Sequence, residues 1–325
     1  MYKAADALRL LSPDEQNVCL RKMFIADARM SLASALLKRL FVSRALGIPW
    51  SQVKIARKGD PTHGKPSALL PDGSFAPIDF NVSHQAGLVA LVGWKGDPNN
   101  FQDRQSPVQV GVDIVCVNER DDYRTINQEG FDGWVDVYEE VFGEEERWDM
   151  KYKVDQLTLL DGRTLAGDEL DRNDRCVRRD LDLSVTLPSG KTENFSSDLL
   201  IDAKLRRFYT FFCYKEAYIK LAGEALLAPW LRQLQFQNVR SPRAGTVARC
   251  STHGTWGEKV DDVDVLLHGK PVEDVRMTIQ AFEESCMIAT AVRGLPDLEA
   301  PDFTKLHLEQ DISSAAAEAA TTSAP

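Results

Sequence analysis

The sequence lacks any long apolar run. No stretch of about 18 uncharged apolar residues occurs, and no basic segment followed by a short apolar stretch opens the chain. We therefore expect no membrane span and no secretory leader, and the predicted location is cytoplasmic. Basic residues are outnumbered, since 39 Lys and Arg stand against 49 Asp and Glu and give a formal net charge of −10. This excess argues against sequence-independent nucleic-acid binding, so an anionic ligand needs a local basic pocket.

Cysteine is scarce, and sequence repeats are absent. The six cysteines form no close pair, which fits neither a disulfide-stapled domain nor a zinc site of the usual spacing, so buried reduced thiols are expected. No repeat of about 20 to 50 residues occurs, which excludes a solenoid. What is present is 43% hydrophobic content over 325 residues, enough for the core of one large domain or two ordinary ones.

Apolar periodicity predicts the main helices and strands. One helix is expected over residues 31–46, ending at Gly47, and a longer buried helix from about Lys204 to Gly223. Further apolar runs predict buried strands and a closing antiparallel sheet. These runs lie at 87–93, 108–117, 260–267, 275–281 and 287–292.

Two other regions have compositions that do not favour a packed core. The stretch from about 149 to 202 is highly charged and is expected to be an inserted, mobile excursion. The end of the chain, 313–325, consists mainly of Ala, Ser, Thr and Glu and is expected to be disordered.

Two acidic residues stand out by their surroundings. Asp113 interrupts an apolar strand, where an unpaired carboxylate carries a large desolvation cost. Glu216 lies four residues before Lys220 on a predicted helix, so both project from one face. The structural alternatives are a surface salt bridge for that pair and an Asp113 paired with Arg120 or Arg124. A Mg²⁺ ion fits Asp113 and Glu216 as well, because it favours one or two carboxylates and takes other ligands from phosphates.

Two short motifs suit phosphate binding. The stretch from Asn81 to Gln85 offers a hydroxyl, an imidazole and an amide from one place. His84 by itself is more often a structural histidine, and no nucleophile elbow accompanies Ser83, which argues against nucleophilic catalysis. The tripeptide Gly64-Lys65-Pro66 combines close backbone approach with a point charge, although a surface turn explains it equally well in isolation.

These motifs, in this order, resemble those of the Sfp-type 4′-phosphopantetheinyl transferases. The matching segments are Gly64-Lys65-Pro66, Phe80 to His84, Gly111 to Ile114 and Lys215 to Lys220. Further segments at 30–34, 117–120 and 223–230 resemble the broad-specificity fungal members of the family. The similarity covers about residues 20–300 with gaps, and several short motifs in the correct order make an accidental match very unlikely.

The resemblance implies a fold and a division of the chain. The fold is expected to be α+β with two pseudo-symmetric halves, each a small antiparallel sheet packed on a long helix, and with the active site in the cleft between them. The N-terminal half is expected over 1–110 and the C-terminal half over 111–300, with the charged insertion at about 149–202. A mostly disordered tail is expected over 301–325.

The resemblance also implies an activity and its partners. The enzyme would transfer the 4′-phosphopantetheine arm of coenzyme A to a serine of an apo acyl or peptidyl carrier domain and release 3′,5′-ADP. The carriers would belong to fatty acid, polyketide, non-ribosomal peptide or lysine-pathway synthases. Mg²⁺ is the expected cofactor, with Mn²⁺ as a substitute, and the protein is expected to be a monomer that binds neither nucleic acid nor membrane.

Position by position, the resemblance implies roles for individual residues. Those expected to bind coenzyme A are Arg57, His63, Gly64, Lys65, Pro66, Asn81, Ser83, His84, Asp113, Glu216 and Lys220. Asp113, Glu216 and Lys220 are the expected catalytic residues, and Glu216 would take the proton of the carrier serine directly or through water. Asp113, Glu216 and Gln85 are the expected metal ligands.

The chain departs from the family pattern in two places. Many members carry a second acidic residue two positions after the aspartate, but Val115 stands there and cannot bind a metal, which is why Gln85 enters the ligand set. Residues before Ser12 lack the aromatic-bearing strand with which relatives begin, so the first half is expected to be incomplete or shortened. Two alternatives stay open: a catalytically weak homologue that binds coenzyme A or a carrier domain, and a metal-dependent phosphohydrolase.

Overall fold

In a computed structural model, the chain folds into helices and small antiparallel sheets. The structure describes residues 4–60, 64–96, 108–224, 228–245, 254–295 and 301–321. The helices are α1 (Ala4–Leu8), α2 (Pro13–Leu20), α3 (Ile25–Leu46), α4 (Asp122–Asp136), α5 (Glu144–Tyr152), α6 (Ser197–Ala222) and α7 (Ser314–Thr321). Short 3-10 turns lie at Trp50–Gln52, Gly167–Arg175 and Leu231–Gln233, and a π-helical turn lies at Leu308–Ser313. No helix among these described residues is long and apolar enough to cross a membrane.

The strands are β1 (Ile55–Lys58), β2 (Lys65–Ala68), β3 (Ile78–Gln85), β4 (Leu88–Lys95), β5 (Gln109–Cys116), β6 (Gln156–Thr158), β7 (Thr164–Ala166), β8 (Asp182–Thr186), β9 (Thr192–Ser196), β10 (Leu234–Gln237), β11 (Trp256–Val260), β12 (Asp264–Leu267), β13 (Lys270–Pro271), β14 (Val275–Phe282) and β15 (Cys286–Arg293). The largest sheet has the antiparallel order β11-β14-β15-β5, and β3 pairs with β4 in a hairpin. The predicted α+β class is confirmed, while the pseudo-symmetry and the boundaries of the halves stay predictions.

The two long helices end where the sequence predicts. Gly47 after α3 and Gly223 after α6 both adopt left-handed backbone conformations, with φ of 64° and 75°, which glycine tolerates without strain. Helix α6 begins earlier than expected, because the side chain of Ser196 accepts a hydrogen bond from the Asp198 N–H and caps it. Its buried face packs against β5 and β15 and forms the main hydrophobic core.

Side chains of β3 join the hairpin to the free edge of β5. Alternate residues of a strand project to the same side, so three polar side chains of β3 point together at β5. They accept hydrogen bonds from β5 N–H groups: Asp79 from Val110 (2.7 Å), Asn81 from Val112 (3.3 Å) and Ser83 from Ile114 (3.3 Å). The polar side chains of β3 therefore accept the hydrogen bonds of the β5 N–H groups, which in a regular β-ladder would go to backbone carbonyl groups.

The charged insertion is folded, in contrast to the mobile excursion expected from its composition. Hairpins β6–β7 and β8–β9, together with the 3-10 turn between them, enclose a separate small core. Leu170 and Leu200 are fully buried in this core. The insertion is anchored to α6 by Arg207, which donates to Asp155 (2.8 Å) and pairs with Asp149. Few apolar residues suffice here because they are concentrated on the inner faces of two hairpins.

The C-terminal segment also differs from the expected disordered tail. Phe303 stacks on Trp256 with ring centroids 5.7 Å apart, and Ile312 is buried against Leu36 and Leu40 of α3. Helix α7 then continues as far as Thr321, and the last residues lie outside the described part. The small apolar side chains, which made this segment look unstructured, can pack closely against another helix.

One pair of cysteines corrects the prediction of reduced thiols throughout. Cys116 and Cys286 lie directly opposite each other on β5 and β15 and form a disulfide. A sequence separation of 170 residues hid this neighbourhood. Cys19 and Cys213 are buried free thiols, as expected, and Cys176 is half-buried. Cys250 lies outside the described residues.

Candidate active site

A polar cavity of about 410 Å³ lies where β3, β5 and α6 meet. It is lined by Asp27, Met30, Ser83, His84, Gln85, Ala86, Asp113, Ile114, Glu119, Arg120, Phe212, Glu216 and Lys220. A larger cavity of about 1250 Å³ lies between α3 and β4, but its lining is mainly apolar and offers little chemistry. The carboxylates, amine and imidazole that the sequence singled out converge on the smaller cavity.

A strand aspartate and a helix lysine form the centre of this site. Lys220 Nζ donates to Asp113 Oδ1 (2.5 Å) and to Ser83 Oγ (2.9 Å), and Ser83 Oγ donates to the same Asp113 oxygen (2.9 Å). Asp113 is only 5% exposed, so the lysine supplies the cation that its burial requires. The partner is thus neither Arg120 nor Arg124, the two that the sequence suggested as alternatives.

Glu216 is the least satisfied group in the cavity. Its Oε1 atom is buried and has no hydrogen-bond partner within the described part of the chain. Burial, and then the negative charge of Asp113, raise the pKa of Glu216 to about 7, against smaller opposing effects of Lys220 and Arg120. Two carboxylates that destabilise each other in this way form an arrangement that a cation would relieve.

Gln85 is held at the cavity by an acidic residue that the sequence did not single out. Its Nε2 donates to one oxygen of Glu119, while the Ala86 N–H donates to the other oxygen (3.1 Å). Glu119 thereby ties the β3–β4 turn to the segment that follows β5. Because its nitrogen is engaged, the Gln85 amide keeps its oxygen as the acceptor for a ligand.

His84 lies at the exposed side of the same cavity. Partial burial and the positive charges of Lys220 and Lys22 lower its pKa below the usual value. The imidazole is therefore neutral near pH 7 and can act as a hydrogen-bond donor or acceptor for a ligand.

Of the remaining residues expected to bind coenzyme A, those that the structure describes do not line the cavity. Lys65 is held in an ion pair with Asp79 and donates to the Val110 carbonyl (2.6 Å). Asn81 is engaged with β5, as described above, and Arg57 donates to the Gly64 carbonyl (2.7 Å).

The tripeptide after the first strand has a clear local role. Gly64 cannot be replaced without a shift, because a Cβ there would lie 2.2 Å from the Lys58 carbonyl oxygen. Pro66 pairs opposite Arg57 in the β1–β2 hairpin. His63 lies outside the described residues.

Lys215, the first residue of the matching helix motif, has a structural role. It is 1% exposed and donates to Glu146 Oε2 (2.7 Å) and to the Val141 carbonyl (2.9 Å). Glu146 is itself 2% exposed and also accepts from the Gly143 and Phe236 N–H groups (3.0 and 3.2 Å). This buried pair fixes α5 and β10 against α6, and so sets the position of the neighbouring Glu216.

Several cavity residues were missed at the sequence level. Met30 belongs to one shared fungal segment and Glu119 to another, but no role was assigned to either, and Arg120 was considered only as an ion-pair partner of Asp113. Phe212 belongs to the predicted buried helix but was not assigned to the site, and Asp27 carried no signal. Val115, in contrast, is buried in the main core, in agreement with its exclusion as a ligand.

The metal-binding potential of the site rests on a small ligand set. No group of three or more His, Cys, Asp and Glu side chains that could hold a metal ion occurs among the residues described. The amide oxygen of Gln85 lies in the same cavity as Asp113 and Glu216 and offers an oxygen donor of another type.

Comparisons with known proteins give consistent matches. A sequence profile of the family described as "4′-phosphopantetheinyl transferase, N-terminal" matches residues 2–96. A 4′-phosphopantetheinyl transferase of Aureobasidium melanogenum is 75% identical over 309 residues, 95% of this chain and 90% of the relative. The 4′-phosphopantetheinyl transferase NpgA of Emericella nidulans is 36% identical over 305 residues, 90% of this chain and 78% of the relative. An L-aminoadipate-semialdehyde dehydrogenase-phosphopantetheinyl transferase of Schizosaccharomyces pombe is 40% identical over 114 residues, 34% of this chain and 40% of the relative.

Proposed function

The chain belongs to the 4′-phosphopantetheinyl transferase family, and on this basis we propose that it transfers the phosphopantetheine arm of coenzyme A to a serine of an apo carrier domain. The products are the holo carrier domain and 3′,5′-ADP. The observation that carries the proposal is the convergence of Asp113, Glu216 and Lys220 on one cavity, together with Ser83 and His84. Such a cavity can bind a diphosphate and stabilise charge that develops on it.

The residues present fit a magnesium ion. The buried Oε1 of Glu216 has no hydrogen-bond partner in the described part of the chain, and burial and the negative charge of Asp113 raise the pKa of this carboxyl group. With the amide oxygen of Gln85, the donor set consists of oxygen atoms only. Mg²⁺ prefers oxygen ligands, one or two carboxylates among them, and we propose that these three residues hold it. When bound, the ion neutralises charge on the diphosphate of coenzyme A.

Two side chains of this protein take part in the transfer reaction. The serine hydroxyl of the carrier attacks the β-phosphorus of coenzyme A, and the bond between that phosphorus and the bridging oxygen breaks as 3′,5′-ADP leaves. Glu216 accepts the serine proton directly or through one water. Lys220, which now donates to Asp113, offers its charge to a phosphate oxygen.

The adenosine end of coenzyme A is assigned to the side of the cavity formed by β3. Ser83 and His84 line it and provide donors for phosphate oxygens. Lys65 remains the proposed ligand of the 3′-phosphate, where Gly64 permits close backbone approach and Pro66 fixes the direction of the chain, with Arg57, Asn81 and His63 as helpers. Lys65 must exchange part of its pairing with Asp79 for the phosphate, which gives a reason to test it separately.

The range of carrier domains is a separate part of the proposal. One relative is named for the L-aminoadipate-semialdehyde dehydrogenase, so we include lysine-pathway carriers beside acyl and peptidyl carrier domains. The monomeric state stays a prediction. The cytoplasmic location stays a prediction.

Intact-mass analysis of a carrier domain tests the proposal. Purified protein with Mg²⁺, coenzyme A and an apo carrier should add one phosphopantetheine to the carrier, and both Glu216→Ala and Lys220→Met should reduce the rate by about 10²-fold or more. Replacement of the exposed Glu140 by Ala is the matched control and should leave the rate unchanged. Coenzyme A binding with no mass gain would instead favour a binding homologue, and hydrolysis without a carrier would favour a phosphohydrolase.

A further inference from the structure

A cluster of exposed apolar side chains lies at the junction of α2 and α3. Its members, which we call the junction patch, are Val18 (57% exposed), Leu20 (66%), Met23 (88%), Phe24 (64%) and Ile25 (74%). Single exposed apolar residues are ordinary on protein surfaces. Five large ones within eight consecutive positions are a concentration of the kind that marks an interaction surface.

The junction patch is not needed for the packing of these helices. Helix α2 buries Cys19, and α3 buries Leu36 and Leu40, all on the side that faces the N-terminal core. Arg39 and Glu15 tie the two helices together through an ion pair of 2.7 Å. The packing of α2 and α3 therefore does not use the apolar side chains of the patch.

The patch adjoins the catalytic cavity. Asp27 and Met30, from the first two turns of α3, line that cavity, and Phe24 is the N-cap residue directly before the same helix. Lys22, between two patch residues, is close enough to His84 for its charge to lower the pKa of that histidine. A molecule seated on the patch would therefore reach the mouth of the cavity.

The charge around the patch is opposite to that of the whole chain. Arg21, Lys22 and Arg29 stand beside the patch against one acidic residue, Asp27, whereas the chain carries a net charge of −10. A local basic surface on an acidic protein favours an anionic partner and disfavours pairing with the same basic surface of a second copy.

We propose that the junction patch docks the carrier domain through an anionic face with apolar residues, next to the serine that receives the phosphopantetheine arm. This inference rests on the proposed function, because the second substrate of that reaction is a folded protein whose serine must enter the cavity. An apolar centre with charged neighbours, continuous with the site of reaction, is the usual composition of such an interface. The patch thus contributes to recognition of the carrier and leaves coenzyme A binding unaffected.

Steady-state kinetics with separate variation of the two substrates tests the docking surface. The double variant Met23→Ser/Phe24→Ser should raise the KM for an apo acyl carrier protein by about tenfold or more, with little change in kcat or in the KM for coenzyme A. The matched control is Leu160→Ser, which replaces a 92% exposed apolar side chain on the insertion and should change none of these values. Lys22→Glu should also raise the carrier KM and should weaken its dependence on salt.

Hydrogen exchange measured by mass spectrometry provides a readout that does not depend on turnover. Added apo acyl carrier protein should slow exchange in residues 18–25 of the wild-type protein. If the wild-type protein shows this protection but modifies no carrier, the proposed function fails while the docking surface stands. Unchanged carrier KM in both patch variants, with no protection at 18–25, overturns the docking proposal.

Other occupants of the patch would give different results. If Met23→Ser/Phe24→Ser converts a dimer to a monomer, or removes binding to phosphatidylserine vesicles, while the carrier KM stays the same, the assignment to a carrier domain is overturned. Because both replaced side chains are exposed, we expect the variant to fold, and the single Lys22→Glu variant provides an independent test.

Discussion

Replacement of Glu216 by Gln should stabilise the metal-free protein while it abolishes the activity. Gln keeps the size of the side chain but removes the buried negative charge beside Asp113. An ordinary structural residue would show the opposite behaviour, because its loss would lower stability. The variant therefore separates a carboxylate retained for function from one retained for folding.

The magnitude follows from the pKa of Glu216, which rises from 4.5 to about 7 on folding. Below pH 4.5 the carboxyl is protonated in both states, so Glu and Gln should have similar stabilities. As the pH rises to 7 and above, the unfolded state loses its proton more readily than the native state, and native stability falls. Each pH unit between the two pKa values is worth about 1.4 kcal/mol, so the Gln variant should be more stable by about 3 kcal/mol above pH 7.

The assay is urea unfolding followed by tryptophan fluorescence, with chelator present, at several pH values from 4.5 to 8.5. Wild-type and Glu216→Gln curves should coincide at the acidic end and diverge as the pH rises. Glu140→Gln, at an exposed position, should run parallel to the wild type throughout. Addition of Mg²⁺ should stabilise the wild type more than the variant. A difference in stability that does not change with pH would refute the reasoning, because Glu216 would then not carry its charge at a buried place near Asp113.

Three further predictions concern packing and the ligand set. Lys215→Met should lower the free energy of unfolding by about 3 to 5 kcal/mol, because it leaves Glu146 as an uncompensated buried charge, and Glu146→Gln in the same background should restore part of the loss; urea unfolding measures both. Ile312→Ala should cost about 2 kcal/mol or more, measured in the same way, because its side chain is buried against α3. Glu119→Ala should weaken Mn²⁺ binding by about tenfold, measured by the EPR signal of the free ion, because Gln85 loses the partner of its amide nitrogen.

Each of these predictions has a result that would contradict it. A Lys215→Met variant as stable as the wild type would mean that the ion pair with Glu146 is dispensable. No change in unfolding for Ile312→Ala would favour the disordered tail that the composition suggested. Unaltered Mn²⁺ affinity after removal of Glu119 would show that Gln85 is not held as a ligand by this contact.

Local features of the chain were predictable because they depend on neighbours in sequence. Gly47 and Gly223 marked the ends of α3 and α6, since glycine readily adopts the left-handed conformation after a helix. Asp113 stood out because a carboxylate inside an apolar strand needs a partner, and the structure supplies Lys220. The family was predictable from the shared motifs, because short patterns that follow one another in a fixed order are a property of the sequence itself.

What only the tertiary structure decided are contacts between distant segments. The pairing of Lys65 with Asp79, the disulfide between Cys116 and Cys286, and the hold of Glu119 on Gln85 depend on how strands and turns are placed side by side. Composition likewise misjudged the insertion and the C-terminal segment, because burial depends on whether a few apolar side chains meet a complementary surface. A sequence determines which groups need a partner, whereas the packing of the whole chain selects the partner from all those that could satisfy it.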